Sequence, residues 1–442
     1  MAAAVLVLDV GKTNAKLTLA SLGGGEAVTR TRANAAATGD GEPVLDAAGI
    51  EAWMAATMAE LADLAEIAAI VPVAHAAAAA LVSGDRLAAP VLDYEAEPPA
   101  PVAAAYDARR DPFERTLSPR LPGGLNLGVQ LLWREDLLRG DVALLPWAQY
   151  WAWRLCGERA SEATSLGSHT DLWFPREETY SDLAWRQGWA RRFAPLRKAG
   201  EVLGDLRADL AARTGVSRSC QVLCGLHDSN ASLCAARALP EVAGGPFSLV
   251  STGTWFVVMQ SGASGESAMD ERKAMLGNVD VEGRVVPTAG FMGGREFAAA
   301  AGPLARGSTA DAEQLIGGAE APRNAGERAA LASLRLAIKT DAHLDLVRDE
   351  GQAERPVVVE GRFAADPIYA RALASLRPMT PVLCARDADG VALGAARLFA
   401  PHLAPAPARR AEPLGLDLRR WANRFRADRP GASPTPVREA SA

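Results

Sequence analysis

QVLCGLHDSNAS, residues 221–232, is the stretch on which the reading of the whole chain turns. Its first four residues form a short buried strand that stops at Gly225, and after Leu226 and His227 the sequence becomes Ala-rich at helical spacing. Asp228 therefore stands where strand becomes helix. Its side chain is expected over the first unpaired helical N–H groups, where the helix dipole favours the ionised form and one orientation. A carboxylate fixed in this way is either a helix cap or a general base, and the neighbouring segments have to decide between them.

Residues 5–20, VLVLDVGKTNAKLTLA, are two β-rich runs joined by Gly11, Lys12, Thr13 and Asn14, which is hairpin chemistry. The Gly-Lys-Thr triplet is not a P-loop: the first glycine of that motif would fall at Leu6, and the segment that follows reads as strand rather than helix. Two readings remain. Either this is an ordinary polar turn, or its N–H groups, with the Thr13 hydroxyl and Lys12, cradle a phosphate beside Asp9. Residues 247–260, FSLVSTGTWFVVMQ, repeat the design, with two alternating strands around Ser251, Thr252, Gly253 and Thr254. Such an echo suggests two versions of one unit facing each other across a cleft, each offering a Gly/Thr turn to the same phosphate chain.

Between the hairpins, 53–66 has apolar residues at helical spacing and 68–73 is a strand ending at Ala74 and His75. A lone histidine there is either a packed core residue or one exposed to a cavity. Residues 125–138 read as an amphipathic helix and 147–155 as an aromatic-rich one. The loop 161–171, SEATSLGSHTD, holds more hydrogen-bonding groups than a connection needs, as ligand-contacting loops do. A polar segment near 218 ends the first half, giving domains 1–218 and 219–428 and a mobile Pro/Ser/Ala-rich tail, 429–442. In the second half, 278–296 is a hairpin turning at Glu282 and Gly283 and leading into a helix, and 325–348 is helical. Residues 356–360 and 382–384 are strands, each followed by a helix, 367–376 and 391–399.

Composition narrows the function classes. Hydrophobic content of 49% and charged content of 23% describe a globular chain, and 442 residues suit two domains. A net charge of −6, with no stripe of Arg interleaved with aromatics, argues against a nucleic-acid partner. No charge-free apolar run reaches membrane-spanning length and no leader precedes the first strand, so a cytoplasmic protein with no membrane partner is expected. Cys156, Cys220, Cys224, Cys234 and Cys384 read as reduced core thiols; Cys220 and Cys224 lack a second ligand pair for zinc.

With these parts in order, the chain resembles the FGGY carbohydrate kinases from Val5 to about Ala400. The resemblance is carried by Asp9-Val-Gly11-Lys-Thr13, Gly225-Leu-His-Asp228, Ser251-Thr252-Gly253-Thr254, and the adenosine segment from Val357 to Leu393-Gly394-Ala395-Ala396. It implies an α/β, two-domain actin/hexokinase-like ATPase fold of duplicated ribonuclease H-like domains with an interdomain cleft, using ATP and Mg²⁺. Asp228 would be the base that accepts the sugar hydroxyl's proton. Gly11, Lys12, Thr13 and Asn14 on one side and Thr252, Gly253 and Thr254 on the other would meet the phosphates, and Asp9 would hold Mg²⁺ through water. His75 matches a sugar-binding histidine of xylulose kinases, and His227 beside Asp228 is similar to rhamnulose kinases. Two departures stand out. Lys12 replaces a common Ser or Thr, and Glu360-Gly361-Arg362-Phe363 replaces two or three glycines beside the adenine, where Gly361, Arg362, Phe363 and Gly394 would line the base. The implied reaction is phosphorylation of a ketose of the rhamnulose, fuculose, ribulose or xylulose type. A polyol kinase (glycerol or erythritol) and a non-catalytic nucleotide-binding scaffold or sensor are the alternatives. The identity of the sugar and the oligomeric state, a homo-oligomer included, stay open.

Overall fold

The computed structural model of the chain describes residues 2–427 apart from 40, 263–268, 319–320, 349–353, 387–389 and 416; the expected tail, 429–442, lies outside the described residues. Contacts divide the chain into two compact units. The first comprises Met1–Ala235, Leu276–Val285 and Val391–Ala404, and the second comprises Ala236–Met275, Val286–Gly390 and Pro405–Ala442.

The first unit is built on strands β1 (Ala3–Val10), β2 (Asn14–Ser21), β3 (Val28–Ala33), β4 (Glu66–Ala74), β5 (Val202–Asp205), β6 (Gln221–Leu223) and β7 (Leu226–His227). Their order is β3-β2-β1-β4-β6-β5, with β7 also on β4. The hairpin partners are antiparallel, and β4, β6 and β7 join in parallel. Strand β1 is apolar at nearly every position because it is covered on both faces. Leu6, Leu8 and Val10 point to one side, against α1 (Ala47–Ala62) and α2 (Trp147–Cys156). Val5 and Val7, one residue out of phase, point to the other and share a core with Val71, Val73, Leu226 and Ala231. Asp46 caps α1 by accepting a hydrogen bond from the Gly49 N–H at 2.9 Å.

This unit runs past the 218/219 boundary expected from sequence. The reason is physical: β6 and β7 hydrogen-bond to β4, and the helix that follows them buries Ala231 on the β4 side.

The second unit holds β8 (Phe247–Thr252), β9 (Phe256–Ser261), β10 (Val285–Phe291), β11 (Val357–Gly361) and β12 (Val382–Cys384). They lie in the order β10-β9-β8-β11-β12, again with an antiparallel hairpin followed by two parallel additions. The echo heard in two hairpins is thus an echo of five strands. A single core joins Val250, Phe256 and Val359 to residues of the helices Gly293–Ala301, Ala325–Val347 and Tyr369–Leu376. Among the described residues no helix is long and apolar enough to cross a membrane.

Candidate active site

In the first unit, register decides which side chains meet. Asp9 pairs with Val73 and Val10 with Ala74 on one side of β4, while His227 pairs with Ala74 on the other. Asp9, His75 and Asp228 therefore emerge at the carboxyl ends of three neighbouring parallel strands, spaced by about 4.8 Å per strand. Ligands of open α/β sheets bind at that edge.

Asp228 opens α3 (Asp228–Arg237). The turn before it demands glycine: Gly225 has φ +81°, and a Cβ there would lie 2.1 Å from the Pro72 carbonyl oxygen. All the turn's backbone groups are engaged. Cys224 and Gly225 donate to Glu201 and Ala199, and the buried Gln149 amide donates to both of their carbonyls at 3.2 Å.

The Asp228 carboxylate is used asymmetrically. Its Oδ1 accepts from the Ser229 N–H (2.6 Å), the Ser229 hydroxyl (3.2 Å) and His227 Nε2 (3.1 Å). A carboxylate oxygen only accepts, so His227 Nε2 carries a proton and is the donor; Asn230 Nδ2 lies 3.3 Å from the other ring nitrogen, Nδ1. Oδ2 has no partner among the described residues, and the side chain is 30% exposed, so one oxygen remains for a ligand. Burial alone would raise the pKa; the neighbouring His227 ring and its hydrogen bond, then His75 and the Ser229 N–H, outweigh it and hold the carboxyl below the usual range. At neutral pH it is ionised.

Both ring nitrogens of His75 are buried without a hydrogen-bond partner, and the ring packs edge-on against Tyr94 at 5.5 Å. Burial pushes its pKa down to about 4 against the pull of Asp228 and Asp93, so the ring is neutral at pH 7. His169, in the polar loop 161–171, is held likewise at about 4 by burial, with the neighbouring His227 ring adding to the effect. Its Nδ1 lies 2.7 Å from the Leu125 carbonyl oxygen.

Lys12, expected to help cradle phosphate, instead pairs with Asp93, lies 3.3 Å from Glu95 and sits 5.3 Å from the Tyr94 ring centre. Sequence reasoning missed this wall, although Asp93-Tyr94-Glu95, acid-aromatic-acid just before the prolines at 98 and 99, was a usable signal.

Asn34 was missed as well. Its side chain donates to the Gly11 and Lys12 carbonyls at 2.8 and 3.3 Å, and its N–H donates to Thr13. Because trans peptides set C=O and N–H in opposite directions, the Lys12 and Thr13 N–H groups point away from Asn34, as an anion cradle requires. Asn14 closes this turn by accepting the Gly11 N–H at 3.0 Å. Beside the turn, Lys16 is 3.8 Å from Asp9. Among the described residues no group of three His, Cys, Asp or Glu side chains is placed to hold a metal ion. One carboxylate fits a Mg²⁺ ion that keeps its waters and arrives on phosphates; it does not fit a resident, protein-caged metal.

In the second unit the β8–β9 turn presents Gly253, exposed, and Thr254, half-buried, while Thr252 faces inward. The Thr252 hydroxyl donates to the Glu360 carbonyl and accepts the Phe363 N–H at 3.0 Å, so it braces β11 and is not turned toward a phosphate. Gly361, at φ +77°, has no room for a Cβ, which would lie 2.2 Å from the Thr252 carbonyl oxygen. Phe363 is 1% exposed and packs against Phe256, Phe297 and Tyr369. Its ring is therefore core, not a stacking surface for a base. Arg362 is exposed beside it, its guanidinium 5.1 Å from the Phe297 ring centre. Gly394, in the helix Gly390–Phe399, is a packing residue of the first unit, where a Cβ would fall 1.8 Å from the Ala231 carbonyl oxygen on α3.

Comparison with known proteins agrees with this geometry. Residues 244–318 and 307–407 match the family described as carbohydrate kinase FGGY, C-terminal domain. A carbohydrate kinase from Novosphingobium aromaticivorans is 40% identical, with 97% of this chain and 98% of that one covered and a TM-score of 0.84. The xylulose kinase of Lactobacillus acidophilus (13% identity, 96% of each chain, TM-score 0.77) and the ADP-bound glycerol kinase of Plasmodium falciparum (9%, 97% of each, 0.77) share the fold. No curated protein sequence matches. The fold is the actin/hexokinase-like ATPase fold, the enzyme is a phosphotransferase acting on sugar hydroxyls, and the chain belongs to the FGGY family of carbohydrate kinases.

Proposed function

We propose that this kinase transfers the γ-phosphate of Mg-ATP to a hydroxyl of a ketose of the ribulose, xylulose, rhamnulose or fuculose type, with Asp228 as the base. The observation that carries the reading is the pairing of one partnerless carboxylate oxygen on Asp228 with two partnerless buried nitrogens on His75. Leaving such groups unpaired is costly, and the hydroxyls of a sugar supply the missing bonds. The ring of His75 is neutral and so offers one donor and one acceptor, a match for adjacent hydroxyls.

Phosphoryl transfer asks mainly for positioning and charge stabilisation. Asp228 Oδ2 would accept the hydrogen bond of the reacting hydroxyl, align its oxygen, and take the proton as the new O–P bond forms. His227 Nε2–H keeps Oδ1 occupied, so the carboxylate does not rotate away. The N–H groups of Lys12 and Thr13 take phosphate oxygens in the first unit, and in the second the exposed turn at Gly253, whose own N–H donates to the Trp255 carbonyl at 3.0 Å, lies against phosphate. A Mg²⁺ ion beside Asp9 would neutralise phosphate charge.

The test is ADP release from Mg-ATP over a panel of D-xylulose, L-ribulose, L-rhamnulose, L-fuculose, glycerol and erythritol. A ketose with kcat/KM at least about tenfold above the polyols is the expected outcome. Preference for glycerol or erythritol would reassign the substrate class, and ATP binding without any phosphorylated product would leave a nucleotide-dependent scaffold.

A further inference from the structure

Glu162 is a carboxylate with 2% exposure, and its hydrogen-bond partners among the described residues include no cation. It caps the short helix Ala163–Leu166. Its Oε1 accepts the Thr164 N–H at 2.9 Å; its Oε2 accepts the Thr164 hydroxyl at 2.6 Å, the Ser165 N–H at 3.1 Å and the Ser165 hydroxyl at 3.3 Å. Burying a charge without a counter-charge is expensive, and four donors are what make it tolerable. A cap alone needs less.

The consequence lies one bond further on. Because the Thr164 O–H is spent on the carboxylate, the hydroxyl oxygen has its lone pairs available, and it accepts the His227 N–H at 3.0 Å. His227 is the residue before Asp228 and also the donor to its Oδ1. We propose that Glu162 is a positioning residue for phosphoryl transfer: through the Thr164 hydroxyl it fixes the peptide on which both His227 and Asp228 are aimed. This rests on the reading of Asp228 as the base.

The atom count says why a carboxylate is required. An amide at 162 has one acceptor oxygen. Placed at Oε1, it would turn its NH₂ toward the Thr164 hydroxyl and the Ser165 N–H; placed at Oε2, it would turn the NH₂ toward the Thr164 N–H. In the first placement the Thr164 hydroxyl loses its acceptor and its fixed direction; in the second that bond survives but the Thr164 N–H meets a donor, which pushes away the residue that carries the hydroxyl.

The test uses the full chain with Mg-ATP and whichever of D-xylulose, L-ribulose, L-rhamnulose or L-fuculose gives the highest rate. Glu162→Gln is expected to lower kcat about 10- to 100-fold while KM for sugar and for ATP stay within about threefold, since geometry is lost and binding is not. Thr164→Val, which breaks the link at its other end, is expected to match it, Thr164→Ser to recover most of the rate, and Glu162→Gln/Thr164→Val to be no worse than the poorer single variant. A folded Glu162→Gln with wild-type kcat, a Thr164→Ser as slow as Thr164→Val, or additive losses in the double variant would each overturn the proposal. If Glu162→Gln fails to fold, the Thr164 pair decides alone. Asp228→Asn measured beside them separates the two ideas. An inactive Asp228→Asn with a fully active Glu162→Gln removes only the positioning role, whereas an active Asp228→Asn removes the base itself.

Discussion

Replacing Asp228 with Asn is a nearly isosteric perturbation whose effect can be worked out atom by atom. The asparagine oxygen, placed where Oδ1 stands, still accepts from the Ser229 N–H, the Ser229 hydroxyl and His227 Nε2, so the three bonds that orient the side chain survive. What changes is the other position. An NH₂ group replaces Oδ2, a donor faces the reacting hydroxyl, and no proton can be accepted there. The fold and nucleotide affinity should therefore be retained while kcat falls by about two to four orders of magnitude, which is roughly 3–5 kcal/mol of transition-state stabilisation. Sugar-dependent ADP release gives kcat, a fluorescent ADP analogue gives nucleotide affinity, and a thermal melt controls for folding. Because the His227 donor holds the Asp228 carboxyl below the usual range against the effect of burial, wild-type activity should show no acid limb from this group above about pH 4. A folded variant keeping more than about a tenth of the wild-type rate would refute both the base assignment and the argument from the open oxygen.

Three further outcomes are expected. His75 has a pKa of about 4 when folded and 6.5 when free, so below pH 6.5 the unfolded chain takes up a proton that the folded ring refuses, and stability falls as pH drops toward 4. The loss between pH 7.5 and pH 4.5 is on the order of 2–3 kcal/mol at this site, and His75→Gln should remove it in urea titrations at the two pH values. Phe363→Ala should cost about 3–5 kcal/mol of stability with little change in KM for ATP, because the ring is core; a large KM effect in a folded variant would restore its role at the nucleotide. Gly394→Ala should lower Tm strongly, by overpacking worth at least about 1–3 kcal/mol, since its Cβ would meet a backbone oxygen that cannot step aside.

The fold was legible where period and turn chemistry agreed. Alternation in 5–20 and 247–260 with Gly at each turn predicts the two hairpins, and both are there, at Ala3–Val10/Asn14–Ser21 and Phe247–Thr252/Phe256–Ser261. The strand at 382–384 falls where apolar patterning puts it. The boundary between the units was not legible, because it depends on which sheet a three-residue strand joins. Gln221–Leu223 adds to the parallel edge of β4 through long-range hydrogen bonds that no local window contains.

The site divides along the same line. Asp228 and His75 could be singled out because each closes a strand, and strand ends are visible in one dimension. Their being neighbours is a matter of register, His227 opposite Ala74, which no spacing between residues 75 and 228 encodes. The contacts that sequence could not show belong to side chains whose partners come from elsewhere in the chain. Lys12 reads as a phosphate lysine until Asp93 and Glu95 are found beside it, 81 residues away in the case of Asp93. Thr252 reads as a phosphate hydroxyl until Glu360 and Phe363 claim it. Asp228 Oδ2 and both nitrogens of His75 are among the polar groups left unclaimed within the described residues, and they are the ones that stand at the carboxyl ends of neighbouring parallel strands. Hydrogen-bond satisfaction therefore adds what motif matching could not, a physical reason to put Asp228 and His75 forward as the groups that meet the substrate.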